Sequence, residues 1–208
     1  MSFEPPARPA RPPRRTQVER SDAMRARLAN AAYETMAEGG LKALRLRAVA
    51  TAAGVSQGAL LHHFPDKNAV ILAAVEQALS LARDDSAAWL DKATIGKEAL
   101  LRAMLAEFRA FFFSDRFWVA MGITMEVSKD AALYPIVRCR IADLRNPTYA
   151  AWARRLVLAG WKQGDAARDV RSGAAMVSGA AIRRFWADND AVTQEVEEDW
   201  IAKRVGLI

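Results

Sequence analysis

One run, from Leu46 to Phe64 (LRAVATAAGVSQGALLHHF), constrains this chain more than any other feature, because it reads as two short helices joined by a tight turn. The first helix ends near Ala53, where Gly54 supplies the left-handed backbone that glycine alone adopts cheaply. Val55 can plug the angle between the helices. Ser56 is a good N-cap, since its hydroxyl can accept from a free amide of the following turn, and a second helix therefore starts at Gln57. In this register Val49, Ala53, Val55 and Leu60 face inward, and the small Ala50 lets the two helices approach. Such a unit either lays one helix in the major groove of DNA or is a plain helical hairpin inside an all-α core.

The flanking segments extend the helical reading. From Ser21 to Glu38 the residues Leu28, Ala32 and Met36 recur at every fourth position, with Ala31 and Thr35 alongside, which describes an amphipathic helix ended by Gly39-Gly40. Pro65 stops the hairpin, and Asp66 can cap a further helix that begins at Lys67, carries Ile71, Val75, Ala78 and Ala82 on one face and runs to about Trp89. Beyond it, Leu101, Met104, Leu105, Phe108 and Phe112 form one stripe, and Phe117, Trp118, Met121 and Met125 form another. Breaks are expected near Tyr134-Pro135 and Asn146-Pro147, because proline fits a helix start or a kink. Helices then follow at about 148–163, 170–187 and 193–205. No stretch alternates convincingly with period two, so the expected fold class is all-α. A disordered basic arm over 1–20 would precede a helix-turn-helix unit over 21–66 and a larger helical domain over 67–208.

Charge is distributed in keeping with that division. The chain of 208 residues carries a formal net charge of +6 and a pI near 9.8, which suits a polyanionic partner. Eleven Arg and Lys against six Asp and Glu fall within residues 1–67, so nearly all of the excess is N-terminal. Five of the eight prolines lie within residues 5–13, together with Arg8, Arg11, Arg14 and Arg15. Such a segment cannot bury apolar area, and reads either as a solvated tail or as an arm that touches phosphates or the minor groove. It lacks the apolar centre of a signal peptide, and the uncharged run 48–65 is too broken by polar residues and glycines to span a membrane, so a cytoplasmic protein is expected. Cys139 is the only cysteine, which excludes an internal disulfide framework, and it is expected to be a small buried hydrophobe. The adjacent His62 and His63 project about 100° apart on a helix, so one ion cannot easily take both. With no nucleophile elbow, metal-ligand cluster or phosphate-cradling glycine loop, neither an enzyme nor a cofactor is expected.

Gly40-Leu41, Val49-Ala50, the run Ala53-Gly54-Val55-Ser56, Gly58-Ala59-Leu60, His63-Phe64 and Asp66-Lys67 together resemble the N-terminal unit of the TetR family of bacterial transcriptional regulators, across roughly residues 21–75. Two positions depart from the family's habit. Arg45 stands where Thr is common before the second helix, which loses a cap and adds a cation near the expected phosphates. Leu61 stands where Tyr is common in the recognition helix, so a phenolic hydroxyl is replaced by a group that packs or meets a thymine methyl. Because 48–65 carries no formal charge, anchoring on phosphate falls to Arg45, Arg47, Lys67 and the free amides at the helix start beside Ser56 and Gln57. Gln57 is the expected base reader, Gly58 lets the backbone come close, His62 can reach a phosphate or base edge, and His63 is expected to pack.

One such unit contacts too few bases to find an operator, and a homodimer on a palindrome is the usual solution. The last two helices offer an interface, with a small-residue face of Ala174, Ala175, Ser178, Ala181 and Ile182 and with Phe185, Val196 and Trp200 as anchors; an intramolecular core is the alternative. Phe108, Phe112, Trp118, Met121 and Met125 are expected to line a pocket for a small, largely apolar effector, with Glu126 beside it to orient a cationic or hydroxylated group. The expected partners are thus double-stranded DNA, a second copy of the chain and a small molecule that releases the DNA by favouring another spacing of the two readers. Activation of transcription and effector-independent DNA binding stand as alternatives to repression.

Overall fold

The computed structural model describes residues 16–92, 96–186 and 190–206. Among these residues it contains nine α-helices, one turn of 3-10 helix and no strand. Helix α1 (Gln17–Ala43) is started by a capping box in which the Thr16 hydroxyl accepts from the Glu19 amide at 3.2 Å and the Glu19 carboxylate accepts from the Thr16 amide at 2.6 Å. It therefore begins before the expected boundary at Ser21, and residues 17–20 belong to the folded unit; Arg8, Arg11, Arg14 and Arg15 lie outside the described residues. The expected stop at Gly39-Gly40 is instead a kink, with Gly40 at φ 65° and ψ −175° and helix again up to Ala43. Helices α2 (Leu46–Ala52), α3 (Gln57–His63) and α4 (Lys67–Lys92) follow, then α5 (Lys97–Phe112), α6 (Asp115–Glu126), the 3-10 turn Val127–Lys129, α7 (Leu133–Leu158), α8 (Gln163–Arg183) and α9 (Asp190–Val205).

One continuous core joins these elements. Its spine is α4, which packs against α1, α6 and α7. The buried side of α4 is rich in alanine (Ala73, Ala74, Ala78, Ala82), which keeps its neighbours close, and Gln77 Nε2 donates to Asn30 Oδ1 of α1 at 3.2 Å. Helices α5 and α8 approach equally closely at Gly173, where a Cβ would meet Leu105 Cδ2 at 3.1 Å and Met104 Cε at 3.2 Å. Helix α9 is seated by Ile201 and by ion pairs from Arg109 to Glu197 and from Arg204 to Asp169. Half-burial of Glu197 raises its carboxyl above the usual range, whereas the Arg102 guanidinium lowers that of the exposed Glu198.

Two expectations about the C-terminal half need correction. The breaks at Pro135 and Pro147 are absent, and α7 is one helix from Leu133 to Leu158. Pro135 sits in its first turn, where no amide is needed, and Pro147 lies on the exposed side, where water can take over the bond its ring cannot make. The buried residues on either side, Arg145, Thr148, Trp152 and Leu156, hold the helix together across it. Cys139, expected to be buried, is exposed.

At Gly54 the backbone has φ 64°, and a Cβ there would meet nothing within 4 Å. The cost of a side chain is therefore purely conformational. Gly54→Ala is expected to lower stability by about 1–2 kcal/mol in a urea titration followed by circular dichroism, with the fold retained.

Candidate functional site

The hairpin owes its shape to four local devices. Val49, Ala50, Ala53 and Leu60 are buried and Val55 is half-buried, so the apolar residues of the run hold α2 and α3 on the core. Gly54 turns the chain, and the amides of Gly54 and Val55 donate back to the carbonyls of Thr51 and Ala50 at 2.9 Å. Ser56 Oγ accepts from the Ala59 amide at 3.1 Å and starts α3. Asp66 Oδ1 accepts from the Ala69 amide at 2.8 Å and starts α4. Arg45 occupies the N-cap of α2 without capping it, which leaves its side chain free of that duty.

Arg45, Arg47, Ser56, Gln57, Gly58, Leu61, His62 and Lys67 are all exposed, and all lie on α2, α3, their caps or the first turn of α4. Leu61 is the most exposed of the large apolar groups of the hairpin, at 37%, and His63 is half-buried with its ring edge-on to His62 at 5.2 Å. One contributor was not foreseen. Arg25 of α1 donates through Nη1 to the His63 carbonyl at 3.1 Å, and its guanidinium lies 4.6 Å from the centre of the Phe64 ring. A cation at the C-terminal end of α3 satisfies a free carbonyl and complements the helix dipole. Nothing in the local pattern around residue 25 marks it, because the partner lies far along the chain.

Among the described residues, the six expected to line an effector pocket lie in different surroundings. Phe108 and Phe112 are buried in the core, with rings edge-on to Tyr149 at 5.7 Å and to Phe117 at 5.0 Å. Trp118 lies, with Met36, Gly40 and Leu41 of α1, along a half-open groove of about 220 Å³ between α1 and α6. Met121 is half-buried, and Met125 and Glu126 are exposed, Met125 at 68%. The inward face of α6 runs instead through Phe117, Ala120 and Ile123 to Val127 of the following turn, so a stripe read through Met121 and Met125 drifts to the outside.

The interior holds a polar cluster instead. Glu107 of α5 accepts at Oε1 from the Ser86 hydroxyl and from Arg145 Nη1 (3.3 Å), and at Oε2 from Trp152 Nε1 (3.3 Å). Ser86, Glu107, Arg145 and Trp152 are all at most 5% exposed. A small, partly open cavity of about 10 Å³, room for a single water, touches Glu107, Phe111, Ala82 and Trp89.

The expected interface is also redistributed. Ala174 and Ala181 are buried within the chain and Trp200 is half-buried against its core, so these three serve the intramolecular packing. Ala175, Phe185 and Val196 are exposed, and Ser178 and Ile182 are half-buried. Leu158 at 84% and Trp186 at 77% exposure add apolar surface at the ends of α7 and α8.

Residues 28–74 match the family described as bacterial regulatory proteins, tetR family. Over 175 residues, 84% of this chain and 86% of the relative, the sequence is 31% identical to the HTH-type transcriptional regulator CymR of Pseudomonas putida. The chain belongs to the TetR family. Its fold is that of solved structures such as a protein described as a TetR-family transcriptional regulator from Mesorhizobium loti MAFF303099, with TM-score 0.68 and 16% identity over 88% of this chain and 94% of that one. A transcriptional regulator from Saccharomonospora viridis in complex with choline is similar, with TM-score 0.63 and 20% identity over 86% of this chain and 94% of that one. As a TetR-family member the protein is a DNA-binding transcriptional regulator and not an enzyme. Among the described residues no group of His, Cys, Asp and Glu could hold a metal ion, and no helix is long and apolar enough to cross a membrane.

In this TetR-family unit Arg25 should matter to the reader without touching a base. Arg25→Met is expected to cost about 1 kcal/mol, from the lost charge-assisted bond and cation–π contact. Native-state hydrogen exchange should show faster exchange at the α3 amides and unchanged protection in α7.

Proposed function

We propose that this regulator is a repressor that binds a palindromic operator as a homodimer and is released by a small-molecule effector. The observation that carries the reading is the exposed, uncharged surface of α3, flanked along the chain by cations. On α3 the groups available to base edges are Gln57, Leu61 and His62, while Arg45, Arg47 and Lys67 stand around them. Gln57 can pair with adenine in both donor and acceptor senses. The cations and the amides of Gln57 and Gly58 at the start of α3, which the Ser56 cap leaves over, hold the phosphates. Affinity and sequence choice are thereby assigned to different residues.

A symmetric dimer is supported by the exposed apolar groups around α8 and α9, namely Phe185, Trp186, Val196 and Leu158, with Ala175, Ser178 and Ile182 on the same helices. An effector is supported by the helical domain beyond the reader, and the similar Saccharomonospora viridis protein is described with a small molecule bound. We place the regulator in the cytoplasm with its DNA.

Binding titrations over single-base variants of a bound site test the division of labour. Gln57→Ala should flatten discrimination at one position of each half-site by about 1–3 kcal/mol. Lys67→Ala should weaken all sequences alike and lower the salt slope by about one phosphate. An unchanged base profile for Gln57→Ala would remove it from the readout.

For the interface, Trp186→Glu should convert a dimer at micromolar concentration to a monomer in sedimentation and weaken operator binding with it. A wild-type chain that sediments as a monomer under those conditions contradicts the dimer.

A further inference from the structure

Arg145 is only 5% exposed, yet only one of its three nitrogens is engaged. Nη1 donates to Glu107 Oε1 at 3.3 Å and lies 3.4 Å from Ser86 Oγ. Nε and Nη2 are buried and have no partner among the described residues. These two nitrogens form the side edge of the guanidinium, whose parallel N–H bonds match the two oxygens of a carboxylate. Leaving charged donors unpaired in the interior is costly, so an unoccupied edge of this kind is kept where something else fills it.

We infer that Arg145 receives the carboxylate of a small organic acid through Nε and Nη2. This rests on the reading of the chain as an effector-responsive regulator, and it names the effector's chemical class. The rings of Phe111 and Tyr149 lie 4.2 Å and 5.0 Å from the guanidinium carbon, so an apolar or aromatic body attached to the carboxylate meets aromatic walls. Glu107 narrows the class further. Its charge already offsets that of Arg145, so a monocarboxylate brings the cluster to one net negative charge, whereas a phosphate dianion would bring it to two beside a buried carboxylate.

The neighbouring cavity holds about 10 Å³ and is bounded by Ala82, Asp85 and Trp89 of α4, by Glu107 and Phe111 of α5 and by Arg116 of α6, whose guanidinium is already paired with Asp85. An organic acid needs more room, so its binding separates α4 from α5. Because α4 begins at Lys67, directly after the recognition helix, that displacement reaches the DNA-binding unit.

The test uses the full chain with benzoate and hexanoate as probes, benzamide and hexanamide as neutral matches and inorganic phosphate as a dianion, read by thermal shift and by titration calorimetry. The acids should raise Tm saturably, and the amides and phosphate should not. Arg145→Gln should weaken acid binding by roughly tenfold or more, with Arg145→Lys restoring part of it. Should the Gln variant fail to fold, the wild-type contrast between acid and amide decides, together with a shift of the Arg145 Nε–H resonance on adding benzoate. Amides that bind as well as the acids, acid binding that survives Arg145→Gln, or no binding by either acid overturns the inference. Operator binding measured alongside separates the two claims. Acids that bind through Arg145 and leave DNA affinity unchanged refute the effector reading and leave the site standing, whereas release of DNA by an amide, without acid binding, does the reverse.

Discussion

Helix α4 runs unbroken from Lys67, beside the recognition helix, to Lys92, and it belongs to both halves of the molecule. Its first turn is capped by Asp66, its middle is tied to α1 through Gln77 and Asn30, and Ser86 near its far end contributes to the buried cluster of α5 and α7. With an alanine-rich inner face, it leaves its neighbours no loose layer to absorb a shift. A packed interior passes displacement on instead of damping it. The DNA-binding unit and the helical domain therefore share one long helix, and the proposed effector site between α4 and α5 would act on the position of α3 through it.

The reader at the other end is built to be neutral. Charge on α3 itself would bind every sequence alike, since phosphates carry no sequence information. Gln57, Leu61 and His62 occupy the exposed surface of α3, and the cations lie on the cap and first turn of α2 and on the first turn of α4. Arg25 holds the far end of α3 from α1 and so fixes the reader's tilt through the backbone. Sequence choice then depends on how firmly the short helix is held, and the caps at Ser56 and Asp66 serve that end as much as they serve stability.

The N-terminal unit was legible because its signals are local. Gly54, Ser56, Pro65 and Asp66 act within a few residues of themselves, and the buried set Val49, Ala50, Ala53 and Leu60 follows from helical period alone. The C-terminal domain was legible as helices and much less so as a site. A proline inside a helix reads as a break from its missing amide, but whether the helix breaks depends on the side it faces, and Pro147 faces out. An aromatic stripe reads as a pocket wall, but on α6 a shift of one residue moved Met125 to the surface and gave Phe117, Ala120 and Ile123 the core. Glu107 and Arg145 are separated by many residues and meet only through the packing of α5 against α7, so no spacing in the chain announces them. Ala174 and Ala181 looked like a docking face because small residues serve both inner and outer contacts, and here α5 takes the same side of α8 at Gly173.

The central claim is that an uncharged α3 reads bases while its flanks hold phosphates, twice over and symmetrically. Selection of bound sequences from a random pool of duplex DNA tests it most directly. The account predicts enrichment of an inverted repeat whose half-sites lie on one side of the duplex, spaced by about one helical turn or a multiple of it. Recovery of a single unrepeated half-site, or binding without any enrichment, would contradict it.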